Sequence, residues 1–161
     1  MQESVLIVGA GSGLSESIAR LCRSKRMKVV LAARDINKLK KLKKEIIADT
    51  IKCDSTNIKS VSNLFKKTDK IIGTPNLVIY NPSKSLGGSI ANIDPKEAHE
   101  VLNVSCYGGF LVAQQAAKRM LKKKTWKYLF YWSYRKCERF FKLICFCNGK
   151  IWPKRFGSII G

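Results

Sequence analysis

Apolar residues follow two alternating rhythms along this chain. Ser4–Val8 is a short apolar run closed by Gly9, and residues 15–24 set Ile18, Ala19, Leu21 and Cys22 at helical intervals among polar positions. A strand, a glycine turn and a helix are predicted. Lys28–Ala33 is a second β-branched run, and residues 35–48 carry Ile36, Leu39, Leu42, Ile46 and Ile47 at helical spacing among lysines. A short third strand should end near Cys53 and a helix should fill roughly residues 58–67. After the turn residues Gly73-Thr74-Pro75, residues 76–80 read as a fourth strand, and one long helix is expected from Pro95 to Leu121. Strands that alternate with helices of this length pair in parallel through right-handed crossovers, with helices on both faces. The expectation is an α/β fold, a doubly wound parallel sheet cut short at about four to five strands.

Composition changes where the rhythm fades. Residues 1–120 carry 20 basic and 10 acidic side chains, whereas residues 121–161 carry 11 basic and one acidic. The net charge of +20 is thus split evenly between a long segment and a short one. All three Trp, 11 of the 15 aromatic residues and three of the six Cys lie beyond residue 120, and no Ala does. Residues 1–121 are read as the folded portion and 122–161 as a basic, aromatic and atypical tail. A strongly basic chain ordinarily suggests nucleic acid or an anionic surface as partner, and the uneven distribution confines that suggestion to the tail. The lysines between Lys38 and Lys44 read as a solvated helix face. The six Cys form no CxxC pair, the N-terminus runs straight into a strand, and no apolar run approaches the roughly 18 residues a membrane span needs. These features suggest a soluble, cytoplasmic chain without a metal site.

Candidate chemistry begins at Gly9-Ala10-Gly11-Ser12-Gly13-Leu14-Ser15, which leaves a buried strand and opens a helix. Glycines there permit positive φ and let backbone N–H groups approach a pyrophosphate. About 20 residues further on the second strand ends at Ala33-Arg34, where an adenosine ribose sits in dinucleotide folds. An Arg at that place fits a 2′-phosphate.

These residues resemble the short-chain dehydrogenase/reductase family. Its turn has the spacing Gly-x-x-x-Gly-x-Gly, matched by Gly9 and Gly13, with Ser15 in the last place. Its Asp after strand three, which holds the adenine, matches Asp54 in Cys53-Asp54-Ser55-Thr56. Its Asn-Ala-Gly after strand four corresponds to Asn81-Pro82-Ser83, where only the Asn is kept, and its Asn in the next long helix matches Asn103. The resemblance implies a Rossmann-like sheet, a bound NAD(P)(H), and hydride transfer between nicotinamide and a small-molecule carbonyl or alcohol. The cofactor contacts it implies are Gly9, Gly11, Ser12, Gly13 and Leu14 in the turn, with Arg34, Asp54, Ser55, Asn81 and Pro82 beyond it. Asn103 would support catalysis, and Arg34 favours NADP over NAD. Family members are usually homo-oligomers, which is not expected of a sheet cut this short.

In this family a Ser, a Tyr and a Lys complete the site, with the Tyr as general acid in a Tyr-x-x-x-Lys helix after strand five. No such helix follows here, because Tyr131 and Tyr134 have Arg135 and Glu138 four residues on. As it stands, the tail suggests a noncatalytic scaffold that binds RNA or an anionic surface through cationic and aromatic side chains. The genetic code offers a different reading. Lys122-Lys123-Lys124 stands on a run of adenines, and with one extra adenine every later Trp codon conceals a Gly. A permitted decoding of residues 125–160 then resembles strand five, its loop and the next helix of the same family, with neither the usual Ser nor the usual Tyr in its place. On that reading the tail is an out-of-frame version of the catalytic half, without regular structure, and the chain is incomplete and inactive.

Overall fold

Every residue of β1 (Ser4–Val8) is buried, as happens only in a strand covered on both faces. The computed structural model describes residues 2–82, 84 and 86–123, together with the backbone of Tyr128–Tyr131, Ile144–Cys147 and Lys150–Pro153. β2 (Lys28–Ala33), β3 (Asp49–Lys52), β4 (Leu77–Tyr80) and β5 (Tyr128–Tyr131) join β1 in one parallel sheet of order β3-β2-β1-β4-β5. β6 (Ile144–Cys147) and β7 (Lys150–Pro153) form a separate antiparallel pair. The α/β, doubly wound, Rossmann-like sheet expected from the sequence is therefore the fold. The sequence reading divides the chain after residue 121, and the sheet takes in a strand beyond that point.

Alternate residues of the strands feed two cores. On one face Leu6, Val8, Val30, Val78 and Tyr80 pack against Val61, Leu64 and Phe65 of α3 (Ile58–Ile72) and Val112, Ala116 and Met120 of α5 (Gly108–Lys123). On the other, Val5, Ile7, Val29, Leu31 and Ile79 pack against Ala19 and Cys22 of α1 (Leu14–Ser24) and Leu42 and Ile46 of α2 (Lys40–Ile46). With this period of two, a slip of one residue in any strand would exchange its two faces, so the packing fixes the register.

Three elements depart from the expected bounds. α3 is longer than its apolar pattern suggested, because nothing stops it before Gly73, which closes it at φ +72. At its start, Asn57 caps it by accepting from the Ser60 N–H at 2.9 Å. The helix expected from Pro95 to Leu121 is instead α4 (Pro95–Leu102), a π turn at Asn103–Tyr107, and α5. Asp94 caps α4 with Pro95 in its first turn.

The third departure is at Ile47, which the spacing counted among core-facing positions and which is 76% exposed. α2 closes there with a left-handed residue, φ +52, while the Ala48 N–H donates to the Lys43 carbonyl at 3.1 Å. This reversal turns Ile47 outward and delivers Ala48 to the core. A β-branched residue is costly in that conformation, by roughly 1 to 2 kcal/mol, and Gly is not. Ile47→Gly is expected to raise unfolding stability by about 1 kcal/mol in urea titrations, and an unchanged or lower midpoint would contradict it.

Candidate functional site

Strand order reverses direction between β1 and β4, and parallel sheets open a crevice at the carboxyl ends of their strands at such a point. The cleft found there encloses about 1160 Å³, at the large end for small-molecule sites. Its floor is the turn that leaves β1. The N–H groups of Gly9 and Ala10 both donate to the Ala32 carbonyl at 2.9 Å, which holds the turn against β2. Gly9 has φ +79, and a Cβ on it would fall 2.3 Å from the backbone nitrogen of Pro82. Gly11 faces open space. Gly13, at φ +93, caps α1 without a side-chain hydrogen bond to the first turn. Unpaired N–H groups at a helix start favour anions.

The end of β4 forms the centre of the cleft. The Asn81 N–H continues the ladder to the Val8 carbonyl at 2.8 Å. Its side-chain Nδ2 donates to Ser15 Oγ at 2.7 Å, and Ser15 Oγ donates to the Gly9 carbonyl at 3.1 Å. Tyr80, one residue earlier, points to the opposite face. Its hydroxyl donates to the Val104 carbonyl and lies 3.1 Å from Ser55 Oγ. With one proton to give, it takes its second hydrogen bond from Ser55. A Cβ on Gly108 would fall 2.3 Å from this hydroxyl, so α5 can begin against Tyr80 only with a glycine. Burial pushes the Tyr80 hydroxyl up to about 12, against a smaller lowering by the Ser55 hydrogen bond.

At the ends of β2 and β3 the cleft is charged. Arg34 is exposed and makes no hydrogen bond or ion pair among the described residues. Asp35 lines the cleft beside it without forming an ion pair with it among the described residues, and its Oδ1 accepts from the Asn37 N–H at 3.0 Å. Lys38, one short turn later, lines the same wall. Asp54 Oδ1 accepts from the N–H and hydroxyl of Thr56 at 2.9 and 2.8 Å, fixing the carboxylate at the rim. The far wall holds Asn103 and Val104, and across it an ion pair joins Lys84 to Glu100 and holds the Glu100 carboxyl below the usual range.

The structure brings Gly9, Gly11, Ser12, Arg34, Asp54, Ser55, Asn81, Pro82 and Asn103 to one cleft. Gly13 and Leu14 sit beside it at the start of α1, and the Ser55 hydroxyl is turned to Tyr80. Sequence reasoning took Lys38, one turn beyond Arg34, as part of a solvated helix face, whereas it lines the cleft, and it passed over Tyr80. It also overlooked that the spacing Tyr-x-x-x-Lys does occur, at Tyr80 and Lys84. That pair spans a strand end and a loop rather than a helix, and Tyr80 is buried away from the cleft. Ser83, and Tyr134, Arg135 and Glu138 of the basic tail, lie outside the described residues. No group of His, Cys, Asp or Glu suited to a metal occurs among the described residues, and none of their helices is long and apolar enough to cross a membrane.

Comparison with known proteins agrees with this geometry. The family model for short chain dehydrogenases matches residues 3–132. An uncharacterized oxidoreductase of Staphylococcus aureus is 31% identical over 123 residues, which cover 74% of this chain and 53% of that protein. The 3-oxoacyl-(acyl-carrier-protein) reductase of Rickettsia prowazekii is 26% identical over 121 residues, covering 74% and 48%. Among solved structures, a variant of actinorhodin polyketide ketoreductase with NADPH superposes with a TM-score of 0.75 at 25% identity, covering 80% of this chain and 51% of that one. The chain spans about half the length of the relatives it matches.

The buried Tyr80 hydroxyl gives a pH signature. Its pKa is about 10 in an unfolded chain and is raised to about 12 here. Between those values the unfolded chain has lost the proton and the folded chain keeps it, so stability falls as pH rises through the window. Relative to Tyr80→Phe, the unaltered protein is expected to lose about 2 to 3 kcal/mol between pH 10 and 12. Parallel alkaline unfolding curves for the two proteins would contradict the assignment.

Proposed function

This chain belongs to the short-chain dehydrogenase family, and from that premise we propose that its cleft binds NADP(H) in preference to NAD(H). The observation that carries the preference is the pair of cations at the end of β2. A protein that selects NAD places a carboxylate against the ribose 2′-hydroxyl. Here Arg34 and Lys38 line the wall at the end of β2, and Asp35, which lines it between them, has one of its two carboxylate oxygens held by the Asn37 N–H. A guanidinium and an ammonium offer charge-assisted hydrogen bonds to a 2′-phosphate. The ketoreductase that superposes on this chain was solved with NADPH, which supports the cofactor class.

The remaining contacts follow from the cleft. The backbone of Gly9 to Ser12 and the start of α1 take the pyrophosphate, and the rim carboxylate of Asp54 accepts from the adenine amine. Ser55 and Pro82 shape the walls at the ends of β3 and β4, and Asn103 stands on the far wall. When bound, the nicotinamide supplies the hydride exchanged with a carbonyl or alcohol carbon. We further propose that this chain binds the nucleotide without turning over substrate. A general acid must reach the reacting oxygen, yet Tyr80 is buried with its hydroxyl committed and Lys84 is paired with Glu100.

Titration of the full chain with NADPH and NADH, read by nicotinamide fluorescence, tests both statements. Arg34→Ala is expected to weaken NADPH about 10- to 100-fold and to leave NADH within about twofold, since charged hydrogen bonds contribute about 1.5 to 3 kcal/mol. Equal affinity of the unaltered protein for the two nucleotides would remove the NADP preference. Steady oxidation of NADPH with a carbonyl substrate would refute the noncatalytic reading.

A further inference from the structure

The family's turn closes with a glycine where this chain has Ser15. Ser15 is 2% exposed, too buried to meet a ligand broadly, yet its hydroxyl joins two cleft-lining groups, the Gly9 carbonyl at 3.1 Å and Asn81 Nδ2 at 2.7 Å. The protons fix the direction of both bonds. A backbone carbonyl can only accept, so the single Ser15 proton goes to Gly9, and Ser15 must in turn accept from Asn81. Only the Nδ2 end of the Asn81 amide can satisfy it, since the reverse orientation would set two acceptors against each other. The Asn81 side chain is therefore locked with Oδ1 as its remaining polar atom, and that atom has no hydrogen-bond partner among the described residues.

We propose that Ser15 is a positioning residue that acts through Asn81, holding Asn81 Oδ1 toward the cleft as an acceptor for a ribose hydroxyl on the nicotinamide side of a bound dinucleotide. This rests on the nucleotide reading above. The class of ligand atom follows from chemistry, because an amide oxygen repels phosphate, which offers only acceptors at neutral pH, and takes a hydroxyl. The side follows from topology. β4 lies across the switch point from β2 and β3, whose ends carry Arg34, Lys38 and Asp54 for the adenosine half.

The test uses the full chain and two probes, NADPH and 2′,5′-ADP, which keeps the adenosine half and lacks the nicotinamide riboside. Ser15→Ala and Ser15→Gly, the latter restoring the family's residue, are expected to weaken NADPH about 5- to 20-fold while 2′,5′-ADP changes by less than about twofold. In an Asn81→Ala background neither substitution should weaken NADPH further, which separates action through Asn81 from a general loosening of the turn. Equal weakening of both probes, no weakening of NADPH, or an undiminished effect in the Asn81→Ala background would each overturn the proposal. If the unaltered chain binds 2′,5′-ADP but not NADPH, this inference fails and the adenosine contacts stand. If it binds neither, the nucleotide reading falls and takes the inference with it.

Discussion

The carboxyl ends of β1 and β4 approach so closely that no side chain fits between them. A Cβ on Gly9 would fall 2.3 Å from the Pro82 nitrogen and 2.6 Å from its Cγ and Cδ, contacts that no small adjustment relieves because one partner is backbone and the other a rigid ring. The chain at Gly9 also needs positive φ, so space and conformation both demand glycine. From this contact follow the rest of the cleft's walls. β1 can turn sharply into α1, the Ala32 carbonyl can gather the N–H groups of Gly9 and Ala10, and Asn81 comes within reach of Ser15.

β4 uses its last two positions to tie the two sides of the site together. Tyr80 and Asn81 point to opposite faces, as neighbours at a strand end must. Asn81 engages the glycine turn through Ser15. Tyr80 engages the loop after β3 through Ser55 and the π turn through Val104, one residue beyond Asn103. A π turn changes the phase of a helix, and here it lets α4 and α5 present Asn103 at the cleft while Val112, Ala116 and Met120 still face the core. Gly108 is the complement on the helical side, its missing side chain leaving room for the Tyr80 hydroxyl.

Much of this was legible in the sequence because it depends on local rules. Continuous apolar runs of four to six residues between amphipathic helices specify a doubly wound sheet, and four of the five parallel strands were read within a residue or two. Gly9, Arg34, Asp54 and Asn81 could be placed because each stands at a strand's carboxyl end, the one location such sheets reserve for ligands. Other features depended on tertiary contacts that spacing does not encode. The π turn lies inside a stretch whose apolar pattern suits an unbroken helix, and the buried role of Tyr80 is visible only once β4 is set against α5. Ile47 misled because helical periodicity says nothing about where a helix ends. Ser15 looked like a defect in a glycine pattern, and the structure shows it as a hydrogen-bonded link.

The proposed separation of nucleotide binding from chemistry along this fold has a physical basis. The contacts proposed for the nucleotide all come from strand ends, the turn after β1 and the walls at Asn103, and they are fixed by backbone geometry and two packed cores. Proton transfer asks for something else, a titratable side chain free to exchange its proton at the reacting atom. The described candidates do not meet that demand. Tyr80 has the hydroxyl, but burial has raised its pKa to about 12, and its hydrogen bonds to Val104 and Ser55 are internal, so its proton serves packing. Lys84 has the charge, but it spends it on Glu100 at the rim. A cleft can thus be well formed for a dinucleotide while the groups near its reacting end are occupied in holding the walls in place.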